Sequence, residues 1–197
     1  MTGQAEDAAL LHAMEATDPR AAEVLRFWFQ GVRNDPRWFR KDEAFDREVR
    51  RRFLPLYEEA AAGALSAWRD APAECLALVI VLDQFPRNMF RGEARAFAAD
   101  ALAREAASQI VSLGWDRSMD EPEKLFAYLP FEHSERLADQ DLACNLMNDF
   151  HPEQRDYALR HRDIIRRFGR FPHRNAALGR ASTPEEIEFL KQPGSGF

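Results

Sequence analysis

Apolar residues in this chain recur at spacings of three and four, and Pro or Gly punctuates the runs. That is the periodicity of helices packed by one face, and no segment shows the strict alternation of a half-buried strand. Thr17-Asp18-Pro19 reads as a helix entry, and Val24, Phe27 and Trp28 follow before Gly31. Asn34-Asp35-Pro36 reads as a turn, and a second helix opens near Asp42. There Phe45, Val49, Phe53 and Leu56/Tyr57 share a face that excludes Arg47, Arg50, Arg51 and Arg52. Pro55 is expected to kink or divide this helix, with Gly63 as its end and Ala64 to Trp68 as a short continuation.

Asp70-Ala71-Pro72 opens a third helix that is apolar all the way round, from Leu76 to Leu82, and is therefore enclosed by others. A strand through Val79-Ile80-Val81 competes, but no other segment offers a strand to pair with it. Asp83-Gln84 and the stop Phe85-Pro86-Arg87-Asn88 follow at once, so the most buried stretch delivers polar groups at its end. An Ala-rich helix is expected from about Glu93 to Leu113, capped by Gly114. Another starts at Asp120 and breaks at Pro130. A sixth runs from Ser134 to Phe150, a seventh from His151-Pro152 to Gly169, and a last short one follows the capping box Thr183-Pro184-Glu185-Glu186. The sum is an all-α chain of about eight antiparallel helices in one domain, 1–197, with loose ends at 1–17 and 192–197.

A hydrophobic share of 46% with 30% charged residues is the composition of a self-folding globule, and the net charge of -6 argues against a nucleic-acid partner. The longest apolar run is far short of the ~20 residues needed to cross a bilayer. No signal peptide is visible, so a cytoplasmic location is expected, with no membrane partner. Cys75 and Cys144 both sit beside apolar residues, where a thiol behaves as a small hydrophobe and not as a nucleophile.

Chemistry is sought where ionisable residues fall on apolar faces. On the sixth helix Glu135 and Asp139 share the stripe Ala138, Leu142, Leu146 and Phe150, so both carboxylates are aimed inward; His133 sits just ahead of them. Ion pairing is the ordinary reason for such charges, and acid-base work the sharper one. His161 lies between Tyr157, Ile164 and Phe168 on one face of the seventh helix, as a core histidine or a base. From Arg160 to Arg180 seven arginines stand against the single acid Asp163. Phe171-Pro172-His173-Arg174-Asn175 echoes the earlier Phe-Pro-Arg-Asn stop. Pro forces the residue before it out of the helix, which frees Arg and Asn to bond the helix end or an anion. No glycine-rich phosphate loop, nucleophile elbow, HExxH or paired CxxC is present.

Three blocks in order, Leu82 to Asn88, Leu129 to Glu135 and Arg167 to Asn175 with Leu178-Gly179-Arg180 and Ser182-Thr183 after it, resemble the signature blocks of the bacterial domain-of-unknown-function family 924. Phe27-Trp28-Phe29 and Trp38-Phe39 fit as well, so the resemblance covers the chain beyond about Ala21. It implies a tetratricopeptide-like helical superhelix and implies no activity.

The reading preferred from the residues is one polar pocket for a small anionic molecule, bound or turned over. Arg87, Asn88, His133, Arg170, His173, Arg174 and Asn175 would be its ligand-binding groups, with His161, Glu135 and Asp83 as catalytic candidates and no metal or cofactor implied. The alternative is a tetratricopeptide-like scaffold that grips a peptide or protein, its polar cluster purely structural. The residues leave open whether the chain is an enzyme and what its oligomeric state is.

Overall fold

Thr17 and Asp18 turn the chain into a helix by giving their backbone N–H groups to the buried Glu74 carboxylate. This computed structural model describes residues 15–29 and 36–196; the expected helix end at Gly31, the turn at Asn34-Asp35 and most of the expected loose start lie outside them. The first helix, α1 (Pro19–Phe29), starts on a proline at its first position, where no N–H is needed. Its Trp28 packs among Trp38, Phe45, Phe85 and Phe126, with ring centroids 5.3 to 6.3 Å apart.

Helix α2 (Glu43–Ala61) is capped by Asp42, whose side chain accepts from the N–H groups of Ala44 and Phe45. Pro55, expected to kink or divide it, lies inside it without dividing it. Both Pro55 and Arg51, whose carbonyl loses its partner, are on the exposed face, so water can serve that carbonyl.

The stretch Pro72–Val79, Ile80–Gln84 and Phe85–Met89 is one continuous helix, α3, over 72–89, and no residue from Cys75 to Phe85 is more than 6% exposed. Its middle is a π turn, in which the Phe85 N–H reaches back five residues to the Ile80 carbonyl. The expectation that Phe85-Pro86 ends the helix is overturned: the widened turn gives the Pro86 ring room that a regular turn denies, and the helix runs on.

The Ala-rich helix is shorter than expected. After Gly92, at a positive φ of 79°, the chain makes a 3₁₀ turn at Ala94–Phe97, and α4 begins only at Asp100 (Asp100–Ser112). Helix α5 (Glu121–Glu132) opens on a capping box of Asp120 and Glu123 and runs through Pro130 to Glu132, so the expected break is absent. Proline there forgoes the one bond its N–H would have made to the Phe126 carbonyl, and the helical bonding resumes after it, with the His133 N–H on the Leu129 carbonyl.

Helix α6 spans Leu137–Leu146 rather than Ser134 to Phe150. Ser134 bonds Asp139 and the Arg136 N–H just ahead of it, and Glu135 is drawn away by other partners. Its inward residues are Asp139, Gln140 and Ala143, while Ala138 is exposed, so the expected stripe is one position off. Helices α7 (Pro152–Phe168) and α8 (Pro184–Leu190) complete the chain, the latter opened by the expected Thr183–Glu186 capping box.

The described residues thus form eight helices and no strand. Helix α3 is the axis: α1, α4 and α5 pack on its first half and α2 on its second, while α6 lies on α5 and α7 on α6. No described helix is long and apolar enough to cross a membrane.

Candidate functional site

The π turn sets Asp83 at the blind end of the buried axis, with no exposure at all. A carboxylate there needs donors. It receives the Gln84 amide at 2.6 Å, approaches Arg87 Nη1 at 3.3 Å, and bonds His133 Nδ1 through both oxygens at 2.8 and 3.0 Å. Burial pushes the Asp83 carboxyl up, but Arg87, His133 and Gln84 outweigh it and hold it at about 2. Asp83 is therefore ionised, and the hydrogen of the His133 ring lies on Nδ1, facing it. Burial and the positive charge of Arg87 push the His133 pKa down despite Asp83, which leaves a neutral ring. His133 Nε2 has no protein partner among the described residues and is not among the polar atoms shut off from solvent.

Arg87 reaches across to Asp100, at the start of α4, in a two-pronged bond of 2.9 and 3.0 Å. Arg174, on the 3₁₀ turn Pro172–Arg174, touches the same carboxylate through Nη1 at 3.3 Å. Two guanidinium groups therefore share one carboxylate. Arg174 is only 6% exposed, and its Nε is buried with no acceptor. Its guanidinium carbon lies over the rings of Phe97 and Phe171, 4.7 and 4.5 Å from their centroids. Burial first, and Arg87 second, lower its pKa to about 10, so it stays charged at neutral pH.

Phe171 gathers the rest. Its ring centroid is 5.6 Å from that of His161 and 5.5 Å from that of His173, and His161 is 6.5 Å from His133. The contacts close a ring: Asp83, His133, His161, Phe171, Arg174, Asp100, Arg87 and back to Asp83. Burial depresses His161 to about 3 and His173 to about 4, with the charge of Arg174 adding to both.

Behind the ring, His161 Nδ1 donates to the Tyr157 carbonyl at 2.8 Å and lies 3.1 Å from Glu132 Oε1. Burial and the charge of Asp83 raise Glu132 to about 8. The close pair is thus two neutral groups, with the proton on the carboxyl.

Of the residues singled out in the sequence, Asp83, Arg87, His133, His161, His173 and Arg174 converge here. The others do not belong to the ring. Asn88 bonds Asp46, which Arg91 also holds. Arg170 forks onto Glu186, and Asn175 bonds Ser182 and the same Glu186, fastening α8. Glu135 accepts the Phe171 N–H at 2.7 Å and a fork from Arg180 at 2.7 and 2.9 Å, so it pins the Phe171 corner in place. Asp100, Glu132 and Phe97 went unnoticed in the sequence; the one signal for Glu132 was its place beside His133.

Among the described residues no group of three His, Cys, Asp or Glu is set to hold a metal. Apart from the ring, a half-open groove of about 230 Å³ is lined by Leu65, Leu78, Leu82 and Leu102, with Arg69 and Glu105 beside them.

A search among curated proteins finds no match. A solved protein of unknown function, ATU0120 from Agrobacterium tumefaciens, is 42% identical; the alignment covers 89% of this chain and 99% of that one, with a TM-score of 0.84. The family model described as bacterial protein of unknown function (DUF924) matches residues 24–194. With the signature blocks, the helical frame and this match agreeing over nearly its whole length, the chain belongs to the DUF924 family of bacterial proteins.

Proposed function

We propose that the ring around Arg174 binds a small organic or inorganic anion. The observation that supports this reading is Arg174 itself: a buried, charged guanidinium whose Nε lacks an acceptor and whose one hydrogen bond goes to a carboxylate already forked by Arg87. A buried guanidinium half-supplied with acceptors gains by meeting another carboxylate or phosphate oxygen. Neutral His133 and His173 beside it can bond the same ligand or take a proton as it arrives, because an anion there offsets the arginine charges that hold their pKa values down. The tetratricopeptide-like arrangement and a cytoplasmic setting belong to the same proposal. A peptide-gripping scaffold, the other reading, falls on the Leu65–Leu102 groove and has no comparable orphaned group behind it.

Isothermal titration with propionate and with inorganic phosphate tests the anion reading. At least one is expected to bind with a dissociation constant on the order of millimolar, a fragment-sized affinity. Arg174→Gln should abolish that binding while Arg170→Gln, whose guanidinium only ties down α8, retains it. No heat from either anion at tens of millimolar, or equal binding by Arg174→Gln, refutes the proposal.

A further inference from the structure

We propose that the ligand of this site is an organic acid carrying a hydroxyl group beside its carboxylate, with Arg174 taking the carboxylate and His133 Nε2 accepting the hydroxyl hydrogen. The inference rests on the anion reading above and narrows it to a chemical class.

The tautomer of His133 decides the matter. Its Nδ1 faces both oxygens of a buried carboxylate, so the hydrogen sits on Nδ1 and Nε2 keeps a bare lone pair. Among the described residues that lone pair has no protein partner, and it is open to solvent. A ligand lying against it must bring a donor. Sulfate, the dianion of a phosphate monoester and simple carboxylates bring only acceptors, whereas a hydroxy acid brings both. An ammonium group would also donate, but it would lie near Arg87 and Arg174, whose two carboxylate neighbours, Asp83 and Asp100, are already engaged.

The groups facing His133 come from every element around it. Asp83 and Arg87 belong to α3, His161 to α7, and Arg174 to the turn after Phe171. The two arginines keep the ring uncharged, which preserves the acceptor at neutral pH. Only Phe171 and His161 stand between Arg174 and His133 around the ring, and the Arg174 charge is felt at the imidazole, so the two groups face a common space.

The test is isothermal titration of the full chain with lactate, propionate and sulfate in one buffer at pH 7.5. Lactate should bind about tenfold tighter than propionate, the value of one well-placed hydrogen bond. His133→Phe should erase that preference while propionate still binds. Asp83→Asn should reverse it: Gln84 claims the amide oxygen, the amide nitrogen faces Nδ1, and the ring hydrogen moves to Nε2, making it a donor. Circular dichroism checks that each variant is folded, and the lactate-to-propionate ratio of the unaltered protein decides the point even if neither variant folds. If neither these probes nor inorganic phosphate binds, both the anion reading and this inference are overturned. If propionate or sulfate binds as tightly as lactate, or the preference survives His133→Phe, only the hydroxyl inference is overturned.

Discussion

Replacing Glu132 by Gln should make the protein more stable at neutral pH, and the size of the gain can be worked from the burial of this one carboxyl. Glu132 is 5% exposed, and desolvation together with the Asp83 charge raises its pKa from 4.5 to about 8. A folded pKa above the unfolded one means full stability below pH 4.5 and a progressive loss as pH rises toward 8. At pH 7 the folded chain retains a proton that the unfolded chain releases, over about 2.5 pH units at ~1.4 kcal/mol each, a cost of about 3 kcal/mol. Glutamine has the same shape as the protonated glutamic acid, fits the same place 3.1 Å from His161 Nδ1, and has no proton to retain. Urea unfolding followed by circular dichroism at pH 5, 6, 7 and 8 should show the variant's midpoint rising relative to wild type, by on the order of 1 M at pH 7 and by far less at pH 5. The reasoning assumes a proton on Glu132 and a neutral His161. If the pair were instead carboxylate and imidazolium, the substitution would strand a buried charge and the variant would be less stable across the range. That sign refutes the assignment.

Two further outcomes are expected. Gly169 ends α7 at φ 69° with nothing within 4 Å of an added Cβ, so Gly169→Ala should cost about 1 kcal/mol through backbone conformation alone, seen in chemical unfolding with the fold intact. Cys75 is buried, and desolvation pushes its thiol up to about 12, so mass spectrometry after iodoacetamide at pH 8 should find it unlabelled until urea unfolds the chain; rapid native labelling would contradict its burial.

The helical frame was legible because the periodicity of three and four is written by burial itself, as at Phe45, Val49 and Phe53. The interruptions were harder to read. Proline reads as a full stop at Pro86 and Pro130, yet a π turn accommodates the first and α5 runs on through the second. Half of the ring could be sensed from imidazole and guanidinium groups placed on apolar faces, His161 above all. Asp100 could not be: it stands in an Ala-rich run, and only the 3₁₀ turn at Ala94–Phe97 makes it a helix start aimed at Arg87. Asn175 misleads for the opposite reason, since its letter matches Asn88 in the echoed Phe-Pro stop while its partner, Ser182, lies farther along the chain; Arg170, just ahead of that stop, likewise forks onto the later Glu186.

The widened turn of α3 also acts as an angular offset. A regular helix advances about 100° per residue, so housing one surplus residue clocks everything downstream by that amount relative to the Cys75–Val79 segment. Arg87 meets Asp100, and Asn88 meets Asp46, only at that clocking. Winding the same residues as an ordinary helix would swing both side chains about a quarter-turn off their targets, whereas removing one apolar position of the widened turn would restore ordinary bonding and leave them aimed as they are, so this helix tolerates a deletion there better than a straightening.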